Sequence, residues 1–131
     1  MRIGADYYPE HWEKERWKTD AEMMVKANIK VIRIGEFAWS LYEPEEGKYE
    51  FDWMDEALDF FGKYGIKVVM CTPSATPPKW MIDKYPDILQ NDIHGNPKLF
   101  GTRKHYCFNS ETYREKTKKL NTLIAKRYAK H

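Results

Sequence analysis

The sequence predicts an α/β fold and, within it, a partial (β/α)8 (TIM) barrel: the first three βα units, with parallel strands, across residues 1–131. Three observations lead there. The element order is strand, helix, strand, helix, strand, long loop, helix, and such alternation implies parallel strands joined by right-handed crossovers. Each strand runs into a segment rich in polar and aromatic residues, while the helix-to-strand connections are short and plain, as in a barrel whose site lies on the loops after its strands. A doubly wound sheet, the alternative, would carry a Gly-rich phosphate turn after its first strand, and Asp6-Tyr7-Tyr8-Pro9 is unlike one.

The first strand spans residues 2–7, with Ile3 and Ala5 apolar, and Pro9 stops it because proline lacks an N–H and restricts the residue before it. A helix follows from about Glu13, and Trp17, Ala21, Met24 and Val25 make the stripe expected of a helix packed on a sheet. Asn28 stands near its end, where residues tolerant of left-handed backbone are favoured. Lys30 to Ile34 forms the second strand. It turns at Gly35 and is followed by Glu36, Phe37, Ala38, Trp39 and Ser40: a carboxylate, two aromatics and a hydroxyl within five residues.

After a loop over residues 41–50, Asp52 is placed to cap the second helix, whose buried stripe is Met54, Ala57, Leu58 and Phe61, with Gly62 and Gly65 at its end. Ile66 to Cys71 is the third strand, apolar apart from Lys67, and such runs mark parallel strands covered on both faces. Residues 72–109 then form a long connection with one helical turn near 78–83 and turn chemistry at Asp92-Ile93-His94-Gly95-Asn96-Pro97, the signature of a small hairpin. Loops of that length in compact domains tend to serve function. Ser110 caps a last helix that lines up Tyr113, Thr117, Leu120, Ile124 and Tyr128.

The bulk properties exclude several classes. The 22 basic and 20 acidic residues leave a net charge of +2, too little field to imply nucleic acid. Lys116, Lys118, Lys119, Lys126, Arg127 and Lys130 crowd the last helix, and the interleaved Glu111 and Glu115 make that a solvated face. No run approaches the ~20 apolar residues of a membrane span, and Met1-Arg2-Ile3-Gly4 enters a strand without a signal-peptide hydrophobic region. Cys71 and Cys107 are too few for a disulfide framework, which fits a reducing, cytoplasmic setting. Five Trp, nine Tyr and six Phe are many for this length. They suit either a ring-rich core or a carbohydrate site, where aromatic faces stack on sugar C–H faces.

Four ordered motifs then resemble glycoside hydrolase family 42. They are Gly4-Ala5-Asp6-Tyr7-Tyr8-Pro9-Glu10-His11-Trp12; Arg33 to Ser40 with Glu43-Pro44 and Gly47 after it; Thr72-Pro73-Ser74-Ala75-Thr76-Pro77-Pro78-Lys79-Trp80; and Gly101-Thr102-Arg103-Lys104-His105-Tyr106-Cys107. The resemblance covers the whole chain and makes residues 1–131 an N-terminal fragment of the barrel domain, about its first third. It implies a retaining β-galactosidase acting on terminal β-D-galactosides. Such enzymes need two carboxylates ~5–5.5 Å apart, one acid/base and one nucleophile. In the family these are glutamates ending the fourth and seventh strands, both past His131, so no catalytic residue is assigned and the chain alone is expected to be inactive.

For substrate binding the resemblance carries over Arg103, which matches the family's galactose-contacting arginine. A guanidinium offers several fixed donors to sugar hydroxyls or to a carboxylate. Glu36 ends a strand as either a hydroxyl acceptor or a partner of Arg33; Asp6, Tyr8 and Trp39 are similarly placed. His11, His94 and His105 share no metal-ligand spacing. Cys107 matches the first cysteine of a four-cysteine zinc cluster found in some members, but one thiolate makes no structural site, so neither zinc nor any cofactor is expected. The expected partners are a β-galactoside substrate, with no nucleic acid and no membrane. Three strands cannot close a barrel, so self-association or a complementary barrel fragment is expected to cover the open edge; the rival reading is a truncated self-associating or sugar-binding protein without hydrolase activity.

Overall fold

The structure, a computed structural model, describes residues 3–102 and 104–130. Its strands are β1 (Ile3–Asp6), β2 (Ile29–Ile34) and β3 (Lys67–Met70), paired in parallel in the order β1-β2-β3. Helix α1 (Lys14–Lys26) joins β1 to β2. The short α2 (Trp39–Tyr42) and then α3 (Asp52–Lys63) join β2 to β3, and α4 (Lys79–Lys84) and α5 (Glu111–Tyr128) follow.

The strand period of two sorts the sheet into unlike faces. Ile32 and Ile34 are wholly buried against the helices, in a core with Trp17, Ala21, Met54, Ala57, Phe61, Leu120 and Ile124. The other face carries Gly4, Asp6, Val31, Arg33, Lys67 and Val69 in register: Gly4 beside Val31 beside Lys67, and Asp6 beside Arg33 beside Val69. Here the third strand departs from expectation. Lys67 and Val69 are exposed, the latter by 51%, so β3 is covered on one face only. An apolar run signals two covered faces when strands and helices lie on both sides; among the described residues this sheet has helices on one.

Other details also differ from the pattern. Val25 is 43% exposed, since it falls to the side of the stripe made by Trp17, Ala21 and Met24. Residues 39–42, which the pattern assigns to the motif and its loop, form α2. Phe51, not Asp52, is the cap residue of α3, and Asp52 begins the helix without a capping bond; with Asp55 it sets negative charge in the first turn, where the helix dipole favours it. The cationic row on α5 is only partly solvated. Lys116 pairs with Glu46, and Arg127 pairs with Asp55, which also accepts from Tyr128 Oη (2.8 Å). Glu46 takes Lys84 and Tyr85 as well, and these donors pull its carboxyl down to about 2.

Four local expectations hold. Asn28 is left-handed (φ 56°), α4 supplies the helical turn near 78–83, and Asn91 and Pro97 bridge around the Asp92 turn. Ser110 Oγ accepts from the Tyr113 amide at 3.2 Å. The rings serve mainly the core: Trp17, Trp39, Tyr42 and Phe61 are buried, and Tyr106 stacks on Tyr113 with centroids 4.3 Å apart. Among the described residues no helix is long and apolar enough to cross a membrane.

Candidate functional site at the strand ends

Gly35 makes the site possible. Its φ of +83° suits glycine, and a Cβ there would sit 3.2 Å from Met54 Cε and 3.3 Å from the Tyr42 hydroxyl. The chain can therefore leave β2 over the packed α2–α3 layer and bring Glu36 back toward Arg33.

Arg33 is the hub on which the three strand ends meet. Its Nε donates to Asp6 Oδ1 (2.8 Å) and its Nη2 to Asp6 Oδ2 (3.1 Å), a bidentate pair linking β2 to β1. Nη2 also donates to Glu36 Oε2 (2.8 Å), and Nη1 to Cys71 Sγ (3.3 Å) just past β3. Tyr8 Oη reaches the same Glu36 oxygen at 3.3 Å. The guanidinium holds the Asp6 carboxyl below its ordinary value of 3.8. In return, the bonds to Asp6, the neighbouring Cys71 sulfur and the bond to Glu36 raise Arg33 further above the usual arginine range. Desolvation, then the neighbouring Glu36 charge, raises the Tyr8 phenol.

The arrangement presents donors and acceptors at the rim of a cleft of about 320 Å³ lined by Gly4, Ala5, Asp6, Val31 and Arg33, at the small end of the range for ligand pockets. A larger cleft of about 640 Å³ lies against α5 beside Phe108 and Tyr113 and holds none of these residues. Asp6 and Glu36 share one cation, which suits them to accept hydroxyl hydrogen bonds. A general acid needs the opposite: a carboxyl held protonated by burial. The ring of Tyr8 stacks with His11 (centroids 5.2 Å, interplanar angle 18°) and with Phe37 (5.9 Å, 19°), which leaves its hydroxyl as the polar contacting group.

Thus Asp6, Tyr8 and Glu36 come together. Trp39 does not join them: it is fully buried, and its indole N–H donates to Glu43 Oε2 at 3.0 Å. Glu43, 2% exposed, also accepts from the Gly47 amide, while its carbonyl accepts from Trp80 Nε1. Arg103 lies outside the described residues. Sequence reasoning treated Arg33 only as a possible partner of Glu36 and passed over Cys71. The signal was present for Arg33: a lone charge in Val31-Ile32-Arg33-Ile34, two residues from Val31 and so on the face opposite the buried isoleucines. Among the described residues no cluster of three or more His, Cys, Asp or Glu could hold a metal.

A family model for glycoside hydrolase 42, described as β-galactosidase, matches residues 6–131. The β-galactosidase of Thermus thermophilus is 54% identical over 126 residues, covering 96% of this chain and 20% of that protein. The β-galactosidase BgaH of Haloferax lucentense is 49% identical over 129 residues, covering 98% and 20%. The structure of the β-galactosidase from the Antarctic haloarchaeon Halorubrum lacusprofundi superposes with a TM-score of 0.95 at 45% identity, over all of this chain and 20% of that one. An endoxylanase of family GH10 from a sugarcane soil metagenome shares the fold alone, at 15% identity and a TM-score of 0.59. The chain spans about a fifth of the length of the relatives it matches.

Proposed function

The chain belongs to glycoside hydrolase family 42, and on that premise we propose that it supplies the first three βα units of a retaining β-galactosidase, forming one wall of the pocket for a terminal β-D-galactoside. The observation that carries this reading is the Arg33 hub. At the mouth of a parallel sheet it fixes two acceptor carboxylates, with the Tyr8 hydroxyl bonded to one of them. Sugar hydroxyls are both donors and acceptors, and a rigid set of this kind orients them. Arg103 adds a further guanidinium to the wall by family correspondence, and Trp39 supports it from below.

The double displacement itself needs an acid/base and a nucleophile facing each other across the sugar. In the family these belong to the fourth and seventh strands, and the present sheet has three among the described residues. The 131-residue polypeptide therefore leaves a chromogenic β-galactoside unhydrolysed, whereas clear turnover by the purified polypeptide overturns the assignment. The setting we propose is the cytoplasm, in keeping with the two free cysteines, Cys71 and Cys107.

A second reading is favoured by the exposed edge. Ile3 is 49% and Val69 51% exposed, on the first and last strands of an open sheet. Surface of this kind is covered in a stable assembly. We propose that a complementary piece carrying further βα units covers it, or a second copy of the chain. Light scattering distinguishes the two: a dimer supports the second copy, and a well-behaved monomer removes it.

A further inference from the structure

The long connection carries a buried imidazole that the sugar-site reading does not use. His105 is 1% exposed. Its Nδ1 lies 2.6 Å from the Thr102 carbonyl oxygen. A carbonyl can only accept, so Nδ1 carries the proton. The other ring nitrogen, Nε2, is buried with no hydrogen-bond partner among the described residues. The bond to Thr102 is therefore the one polar anchor the ring provides there.

The two ends of that anchor differ in how they are held. On the His105 side the backbone is tied into the fold: the Gln90 amide donates to the His105 carbonyl (2.8 Å), the Cys107 amide to the Ile88 carbonyl (2.7 Å), and Leu89 bridges Tyr106. Tyr106 in turn stacks on Tyr113 of α5. On the Thr102 side stand two left-handed residues, Gly101 (φ 95°) and Lys104 (φ 56°). A lysine there is strained relative to ordinary backbone. Thr102 adds only a local bond, Oγ1 to the Leu99 carbonyl at 3.0 Å. Edge-on contact with Phe100 (centroids 5.8 Å) closes the loop over the ring.

We infer that His105 is a positioning residue: its imidazole couples Thr102 to the anchored Leu89–Tyr106 bridge, and so sets the backbone that leads into Arg103. The consequence for substrate binding rests on the sugar-wall reading above; the geometry of the turn does not.

The test is backbone NMR on the 131-residue protein, comparing the wild type with His105→Leu and His105→Asn. In the leucine variant, the backbone order parameters at Thr102 and Lys104 fall to the flexible range, below about 0.6, while the Gln90 and Cys107 amides, bonded to the His105 and Ile88 carbonyls, keep their protection from exchange. Asparagine, whose side-chain N–H can take the place of Nδ1–H, restores the wild-type order. Unchanged order at Thr102 and Lys104 overturns the inference, and so does lost protection at Gln90 and Cys107, which would make His105 a general packing residue. Should the leucine variant not fold, the wild-type ring decides. A proton on Nδ1, coupled to the Thr102 carbonyl, upholds the anchor, and a proton on Nε2 instead overturns it. If the turn loosens as described but galactose shifts no wild-type resonance, the positioning stands and the sugar-wall reading falls.

Discussion

The two faces of one three-stranded sheet obey different rules. Toward the helices, Ile32 and Ile34 are fully buried and share one packed core with Phe61, Met54 and Ala57. Toward the other side, the same strands offer Gly4, Val31 and Lys67 low down and Asp6, Arg33 and Val69 at the top, with Cys71 just past β3 and no second layer over them among the described residues. The contrast teaches that stability and recognition have been separated by strand alternation. One residue in two holds the fold; the next in line is free to meet a ligand or the rest of a barrel.

The largest test of that separation removes a ring from the packed face. Phe61→Ala should cost ~3–5 kcal/mol, since it leaves a cavity where the ring contacts Tyr7, Trp17 and Phe60. Val69→Ala, on the open face, should stay within about 0.5 kcal/mol. Urea unfolding measures both, and comparable losses would break the distinction. At the hinge between the faces, Gly35→Ala should destabilise by ~1–3 kcal/mol through its positive φ alone, with the tight approach to Met54 and Tyr42 adding to it. Ser110→Ala, which removes the cap of α5, should cost ~1 kcal/mol.

The smallest effect lies at the strand ends and is electrostatic. Arg33 depresses the folded-state titration of Asp6 below 3.8. The stabilisation from this pair is thus present above the unfolded value and lost as pH falls through the lower folded one. Asp6 is exposed, so solvent screens the pair and the change in stability is slight. The direct measurement is the carboxyl titration of Asp6 by NMR, which should move upward in Arg33→Met. An unmoved midpoint would detach Asp6 from the hub.

The parts that the sequence made legible follow the same division. The stripe of α3 and the cap at Ser110 are local, and period or residue type exposes them. Val69 was misread because an apolar run looks alike whether one face is covered or two. Trp39 followed a strand-end carboxylate, yet α2 turns its indole inward to Glu43, a fact set by backbone direction rather than residue type. Arg33 was undervalued for the converse reason: its importance comes from Asp6 and Cys71, 27 and 38 residues away in the chain, which only strand pairing brings together.

Complementation tests the central claim most directly. The present chain would be mixed with a polypeptide carrying the remaining βα units of the Thermus thermophilus relative, and hydrolysis of a chromogenic β-galactoside followed. The account predicts no turnover from either piece alone, turnover from the pair, and at least about tenfold less when the chain carries Arg33→Met, the scale of one lost charge-assisted contact. A pair that assembles by light scattering, yet hydrolyses equally well with and without Arg33, would contradict the claim that this sheet forms the wall of the sugar site.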